Sequence, residues 1–178
     1  RHRLVGIKPG RPHELSFSNG VTVHAPAVVF AMGGGSWSRT GSDGSWVECF
    51  ATREIKYRPL APANCGWEHA WSAETLALAE GKPLKNIVVS AGDQQAVGEL
   101  LVSRYGLEGG AIYQLGAVLR AMKLPEIAID FKPTFTREQL VEKMESVKRD
   151  VLEQARIRWK LSDAAHAILA RKEWHDVA

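Results

Sequence analysis

The feature that most constrains the fold is an unbroken apolar run, Ala27–Ala31, that leads into a glycine-rich loop, Gly33–Gly44. Such a run is typical of a strand buried on both faces, as in the parallel sheet of an α/β domain. After the loop, three residues are spaced for one face of a helix: Trp46, Val47 and Phe50. We therefore predict a strand, a glycine-rich loop and a helix, with Ser42 or Asp43 as the N-cap.

The chemistry of this loop suits a nucleotide cofactor, but its spacing does not prove one. Adjacent glycines let another group approach the backbone closely, and a helix N-terminus offers N–H donors to phosphate. Ser38 stands where a dinucleotide fingerprint would have a third Gly or Ala, and no Gly-Lys-Ser/Thr sequence of a P-loop is present. Spacing alone leaves cofactor contact and an ordinary connecting loop equally open.

Upstream of the apolar run, the sequence predicts a small antiparallel sheet. Leu4–Ile7 and His13–Phe17 have the character of short strands, and Ser18–Gly20 contains the Asn-Gly pair of a tight turn. Val21, Val23 and Ala25 then alternate with polar neighbours, which predicts the second arm of a hairpin.

Downstream, Pro59 to Gly66 is the best candidate for a domain boundary. A helix is predicted near Ala73–Ala79, ending at Gly81, and another over Gly109–Lys123 with an apolar face. The predicted strands are three: Ile87–Ser90, Glu99–Ser103 and Ile127–Phe131. Residues 57–135 therefore read as a β-rich subdomain.

The remaining residues, 136–178, are predicted to be helical. Thr136 and Gln139 have the spacing of a capping box. The apolar positions that follow indicate one amphipathic helix: Leu140, Met144, Val147 and Val151. A second helix should begin near Ser162 and present Ala165, Ile168 and Leu169. The fold class is thus predicted to be α+β.

Charge and composition exclude several function classes. Lys plus Arg number 23 and Asp plus Glu 20, a net charge of +3 that is spread along the chain, so nucleic acid is not implied. No apolar run is long enough to span a bilayer, and no signal-peptide pattern is present, so we expect a cytoplasmic protein with no membrane partner. Cys65 and His69 lack two further ligands, so no metal is expected.

The loop and several later segments resemble those of the BaiN-like NAD(P)/FAD-dependent flavoproteins. Val28–Trp37 with Arg39–Gly44 is similar to the family's Ala-Thr-Gly-Gly strand and Gly-Ser-x-Gly loop. Three further segments are similar to family segments in the same order: Pro59–Gly66, Gly98–Val102 and Tyr105–Ile112. Met32 departs from the family's usual Thr, which puts a hydroxyl contact at that position in doubt.

The resemblance implies that the chain, which starts at Arg1, is an internal fragment of a longer oxidoreductase. Residues 1–56 would be an incomplete part of an α/β FAD-binding domain, and residues 57–178 its inserted domain. The full-length parent would use FAD, with NAD(P)H as a candidate partner, whereas this chain alone is expected to bind no cofactor and to be inactive. Its partners would be the remainder of the FAD domain or another copy, through an exposed strand edge.

The resemblance also assigns candidate site residues. The cofactor-binding set lies in the loop: Gly33, Gly34, Gly35, Ser36, Gly41 and Ser42. A second set, Arg104, Tyr105 and Gly106, could face the flavin or substrate cavity, although a strand end before a helix would look the same. No residue has a recognisable catalytic arrangement, so the catalytic residues stay unknown.

A different class of function is also compatible with the sequence. The first half carries a cluster of tryptophans: Trp37, Trp46, Trp67 and Trp71. These rings could form the surface of a self-sufficient module that binds a ligand or a protein, although most tryptophans fill cores. A closed sheet in residues 1–56 would favour the module, and an open sheet with an unpaired edge would favour the fragment.

Overall fold

A computed structural model describes residues 2–53 and 55–170. The chain divides into two compact units, Arg1–Ala61 and Pro62–Ala178. Within the described ranges it contains six α-helices and two antiparallel sheets, so the predicted α+β class is confirmed.

The first unit is built on a three-stranded antiparallel meander. Its strands are β1 (Leu4–Lys8), β2 (His13–Phe17) and β3 (Thr22–Ala25), in that spatial order. Gly20 has a φ of 82°, and its N–H donates to the carbonyl of Phe17 at 2.9 Å. The Asn-Gly turn therefore forms where the sequence predicts it, because glycine takes a positive φ without steric cost.

A small core joins this sheet to helix α1 (Trp46–Ala51). Ile7 and Leu15 face each other across β1 and β2, and Phe50 of α1 is buried with them. Arg53, just beyond the helix, donates from Nε to the carbonyl of Ile7 at 3.0 Å. The predicted helix is confirmed and is anchored to β1 by this bond.

The predicted buried strand at Ala27–Ala31 is wrong. This segment has no strand geometry, and Val29 is 91% exposed. In the described part of the chain, β1, β2 and β3 pair only with one another, so the segment has no neighbouring strand. An apolar run cannot bury two faces without sheet neighbours on either side.

The N-cap of α1 was also misplaced by the sequence. The cap is Ser45, and its side chain makes no capping hydrogen bond. Asp43 instead accepts a hydrogen bond from the backbone N–H of Ser45 at 3.0 Å. Its carboxylate therefore forms a local turn before the helix, an alternative use for the same residue type.

The second unit contains an open, five-stranded antiparallel sheet with the order β4-β7-β6-β5-β8. The strand bounds are Trp67–Glu68 (β4), Pro83–Ala91 (β5), Gln94–Ser103 (β6), Gly106–Glu108 (β7) and Ala128–Asp130 (β8). The predicted strands correspond to β5, β6 and β8. The short strands β4 and β7 had no signal in the sequence.

The main core lies between this sheet and its helices. Helix α3 (Gly110–Ala121) turns Ile112, Leu115 and Leu119 inward, as its periodicity predicted. They pack in one cluster with buried sheet residues: Leu84, Ile87, Val89, Leu100 and Val102. Helix α2 (Ala73–Ala79) also contributes to this cluster, and its N-cap Ser72 accepts from the N–H of Thr75. The apolar side chains thus form one continuous core.

Strand β5 contains a bulge that changes which side chains face the core. Its pairing with β6 shifts register between Leu84 and Ile87, and Asn86 has a φ of 54°. Leu84 and Ile87 are both buried although they are three residues apart. A strand alternates its side chains with a period of two, so the extra residue is what allows both to face inward.

The C-terminal helices are α4 (Arg137–Glu142), α5 (Val151–Arg158) and α6 (Asp163–Leu169). The predicted capping box is confirmed, because Thr136 and Gln139 exchange both hydrogen bonds. The single helix predicted over Leu140–Val151 is wrong: it is interrupted before Asp150, which has a φ of 52°. Val151 is 57% exposed, so the apolar positions of the repeat do not form one continuous buried face of a helix.

The second predicted helix is confirmed as α6. Ser162 is its N-cap, and Ala165 and Ile168 are buried. The part of the helical prediction that falls on residues 171–178 lies outside the described residues.

Candidate functional site

The glycine-rich loop folds back on itself in the first unit. Trp37 and Ser42 pair through their backbones, with N···O distances of 3.1 and 3.2 Å. A 3₁₀ turn, Ser38–Thr40, lies between them, and Gly41 follows with a φ of 92°. The pairing closes the second half of the loop into a small ring, in which Gly41 adopts a conformation that other residues rarely take.

The first half of the loop is attached to this ring by side chains. Ser42 donates from its hydroxyl to the carbonyl of Gly34 at 2.7 Å, and Trp46 donates from Nε1 to the carbonyl of Gly33 at 3.1 Å. Gly33 has a φ of 74°, and a Cβ there would lie 2.8 Å from the Ser42 hydroxyl. Glycine is therefore required at position 33 by both backbone conformation and space.

These bonds determine where the neighbouring N–H groups point. The C=O and N–H of a trans peptide point in opposite directions, so the N–H of Gly34 faces away from Trp46 and that of Gly35 faces away from Ser42. Gly33, Gly34, Gly35 and Ser36 are all exposed. Their N–H groups donate to no residue in the described ranges. The loop therefore presents a run of exposed backbone donors to solvent.

A cavity of about 660 Å³ adjoins the end of the loop, within the same unit. Gly41 and Asp43 of the loop line it, as does Trp46. Further lining residues come from β1, β2 and α1 and from the segments beside them: His2, Arg3, Leu4, Phe17, Met32, Cys49 and Arg53. Its volume falls within the range of about 300–1,000 Å³ that holds small molecules and cofactors.

The charges around this cavity are largely engaged with the protein. Arg3 donates to the hydroxyl of Ser45 at 3.2 Å, and Arg53 donates to the carbonyl of Cys49 at 3.1 Å. The pKa of Asp43 lies below its ordinary value, chiefly because of the Ser45 backbone N–H and then of the Ser45 hydroxyl. The carboxylate of Asp43 is therefore ionised at neutral pH and acts as a hydrogen-bond acceptor.

The second predicted set lies in the other unit, at the turn between β6 and β7. The carbonyl of Gly106 accepts from Trp71 Nε1 at 3.2 Å, and a Cβ at Gly106 would overlap the carbonyl oxygen of Trp67. Tyr105 is 72% exposed, and Nε of Arg104 lies 3.9 Å from Oε1 of Glu80. The glycine therefore has a packing role, since it lets β4 approach β7 closely.

The structure thus brings the loop residues together and leaves Arg104, Tyr105 and Gly106 in a separate unit. Sequence reasoning missed the cavity residues Arg3 and Ser45, which lie 42 positions apart. No local pattern links residues at that separation. Their contact depends on how β1 and α1 pack in three dimensions.

Metal and membrane features are absent from the described residues. No group of three His, Cys, Asp or Glu side chains in residues 2–53 and 55–170 could hold a metal ion. Over the same ranges, no helix has the length and apolarity that a membrane crossing requires. Cys49 and Cys65 are both free thiols.

A family model described as "HI0933-like protein barrel and H2TH domain" covers residues 61–177. No curated protein matches the chain. The matched range contains the five-stranded sheet and helices α2 to α6.

Proposed function

The chain belongs to the HI0933-like family, whose model matches residues 61–177, and from this we propose that it is part of a BaiN-like, FAD-dependent oxidoreductase. In this proposal residues 1–61 form one wall of the flavin cavity. The parent would transfer hydride or electrons through FAD in the cytoplasm, with NAD(P)H as a candidate reductant. The flavin would supply the redox chemistry, and the protein would bind and orient it.

The observation that carries the proposal is the run of exposed backbone N–H groups at Gly33–Ser36. FAD has phosphate oxygens and, on its flavin ring, carbonyl oxygens and ring nitrogens, all of which accept hydrogen bonds. Backbone donors flanked by glycine let such groups approach closely, because no Cβ intervenes. The carbonyls of Gly33 and Gly34 are already bound to Trp46 and Ser42, which fixes the directions of the N–H groups of Gly34 and Gly35.

The form of the first sheet supports the fragment interpretation. Within the described residues, β1 and β3 are edge strands of an open three-stranded sheet, and Val5 and Val23 are 52% and 41% exposed on them. Exposed edges of this kind are normally covered in a complete domain. The remainder of the FAD domain is the partner that the proposal assigns to them, and a second copy of the chain is the alternative.

The decisive variant is Gly34→Ala in the full-length parent. A Cβ at Gly34 meets no heavy atom within 4 Å, so the methyl group does not disturb the loop itself. It would instead occupy the space that a bound flavin needs. The methyl group would keep the flavin cofactor from its hydrogen bond with the backbone of this loop. Losing one hydrogen bond to a charged group lowers affinity roughly tenfold or more. We expect flavin affinity, measured by titrating the apoprotein with FAD, to fall at least about tenfold.

Gly110→Ala is the matched control. It is the same substitution at an exposed glycine with open space around its Cβ, but it lies at the start of α3 in the other unit. Flavin affinity should be unchanged in this variant. Equal affinities for wild type, Gly34→Ala and Gly110→Ala would contradict the assignment of the loop to the flavin.

The isolated chain provides a second test. Residues 1–178 alone should purify without stoichiometric FAD, because the proposal leaves most of the binding energy to segments outside this chain. Stoichiometric FAD on the isolated chain would refute the proposal that this chain forms only one wall of the flavin cavity.

The alternative, a self-sufficient binding module, rests on Trp37, which is 72% exposed. Trp46, Trp67 and Trp71 are half-buried, so they offer much less surface for a partner.

A further inference from the structure

A second, smaller cavity lies in the other unit, between the bulge of β5 and the junction of α5 and α6. Its volume is about 230 Å³. The apolar lining consists of Pro83, Leu84, Ile87, Phe131, Leu161 and Ala165. Three lysines also line it: Lys85, Lys132 and Lys160. Neither the flavin proposal nor the family match assigns any role to this place.

The charged side chains that line this cavity are all positive. No Asp or Glu is among its lining residues. The carboxylate that follows Ser162 in sequence, Asp163, is already paired with Lys82 at 3.5 Å and with Arg156 at 3.9 Å. Lys85 and Lys160 form no ion pair with any residue of the described ranges. The cavity therefore has an excess of positive charge that an anion would neutralise.

Lys160 occupies a backbone position that favours glycine. Its φ is 51°, and the N–H of Leu161 donates back to the carbonyl of Arg156 at 2.9 Å, as in a glycine-type helix end. A lysine here carries a conformational cost that glycine would avoid. Lys132 donates from Nζ to the backbone carbonyl of Lys160 at 2.9 Å, which holds the Lys132 ammonium group at this helix end. A strained residue is a reason to look for a use of its side chain.

We propose that this cavity binds a small oxyanion, a phosphoryl or carboxylate group attached to a short apolar body. The lysines would contact the oxyanion, and the more accessible rings of Pro83 and Phe131 would contact the apolar part. The volume is below the roughly 300 Å³ of pockets that hold drug-sized ligands. It therefore suits a ligand smaller than a nucleotide, and it lies in the other unit from the flavin loop.

The test titrates the full chain with phenyl phosphate and follows binding by calorimetry. Lys160→Gly is the main variant, because glycine fits the observed φ and the fold should be kept or stabilised. Its affinity should fall about tenfold, the equivalent of one charge-assisted hydrogen bond. Lys85→Met should weaken binding in the same direction. Lys123→Met is the control, an exposed lysine away from the cavity whose removal should leave affinity unchanged.

Two ligand comparisons complete the test. Phenol, which lacks the charge, and inorganic phosphate, which lacks the apolar body, should both bind more weakly than phenyl phosphate. Phenol binding as tightly as phenyl phosphate would overturn the role of the lysines, and inorganic phosphate binding as tightly would overturn the role of the apolar lining. Absence of phenyl phosphate binding to wild type, or equal affinity of the Lys85→Met/Lys160→Gly double variant, would overturn the site itself. None of these results depends on flavin.

Discussion

The two units differ sharply in how much apolar side chain they bury. Among the described residues, the first unit has three buried hydrophobic residues, Ile7, Leu15 and Phe50, whereas the second has 18 in one cluster. Burial of apolar surface is the main favourable term in folding, so the second unit should be the more stable one. The proposed flavin loop thus lies in the unit with less stability of its own. Binding of a cofactor or partner to that unit would add stability by mass action.

The largest expected effect is in the core of the second unit. Leu100 is fully buried in β6, so Leu100→Ala should lower the free energy of unfolding by about 2–5 kcal/mol. Urea unfolding followed by circular dichroism measures it. Val97→Ala, in the same strand but 73% exposed, should change it by no more than about 0.5 kcal/mol. Similar losses in the two variants would show that this cluster is not the stabilising core.

A smaller loss is expected in the first unit. Leu15 is 9% exposed and has few buried neighbours, so Leu15→Ala should cost about 2 kcal/mol, near the lower end of the range for such substitutions. Val21→Ala, at a position that is 48% exposed, is the control. The same unfolding measurement applies. A loss of stability as large as that of Leu100→Ala would contradict the conclusion that the second unit has the more stabilising core.

Outside both cores, the capping box of α4 should contribute about 1 kcal/mol. Thr136→Ala removes the hydroxyl that accepts from the N–H of Gln139. The expected result is a lower melting temperature and partial loss of helical signal. Thr134→Ala, at an exposed position before the cap, should leave the melting temperature unchanged. An unaltered melting temperature in Thr136→Ala would mean that α4 adds nothing to the stability of the second unit.

The smallest effect is a pH dependence at α5. Hydrogen bonding to Arg156 holds the pKa of Glu153 below its ordinary value of 4.5. A depressed carboxyl pKa stabilises the fold above the unfolded value, and this contribution is lost as the pH falls through the folded pKa. The melting temperature of wild type should therefore exceed that of Glu153→Gln at neutral pH, and the two should converge below pH 4.5.

Glu145→Gln is the control for this titration, because Glu145 is exposed and has no ion pair with a described residue. Its melting temperature should follow that of wild type across the whole pH range. A constant difference between wild type and Glu153→Gln down to acidic pH would contradict the ionic origin of the effect.

The parts of the fold that the sequence predicted correctly depend on local signals. The turn at Asn19-Gly20, the capping box at Thr136 and the apolar face of α3 each involve residues within a few positions of one another. A backbone preference or a helical repeat acts over that distance, so one sequence is enough to read it.

The features that the sequence predicted wrongly, or did not predict, depend on contacts between residues that are distant in sequence. The run at Ala27–Ala31 lacks sheet neighbours, which no local pattern reveals. Strand β4 exists because Trp67 pairs with Leu107, and a two-residue strand has no periodicity of its own. The cavity beside the loop likewise depends on Arg3 reaching Ser45. Such features follow from tertiary packing, which overrides local propensity.

The bulge in β5 determines which side chains face the core in the part of the strand before it and in the part after it. Deleting Asn86 would restore strict alternation, so Leu84 and Ile87 could no longer both face the core. The half of the strand before the deletion would then present its polar face inward. Replacing Asn86 by glycine or aspartate should be tolerated far better than a change in length, because its side chain is exposed and these residues accept a positive φ. Relatives of this chain are therefore expected to keep the number of residues between Leu84 and Ile87 constant.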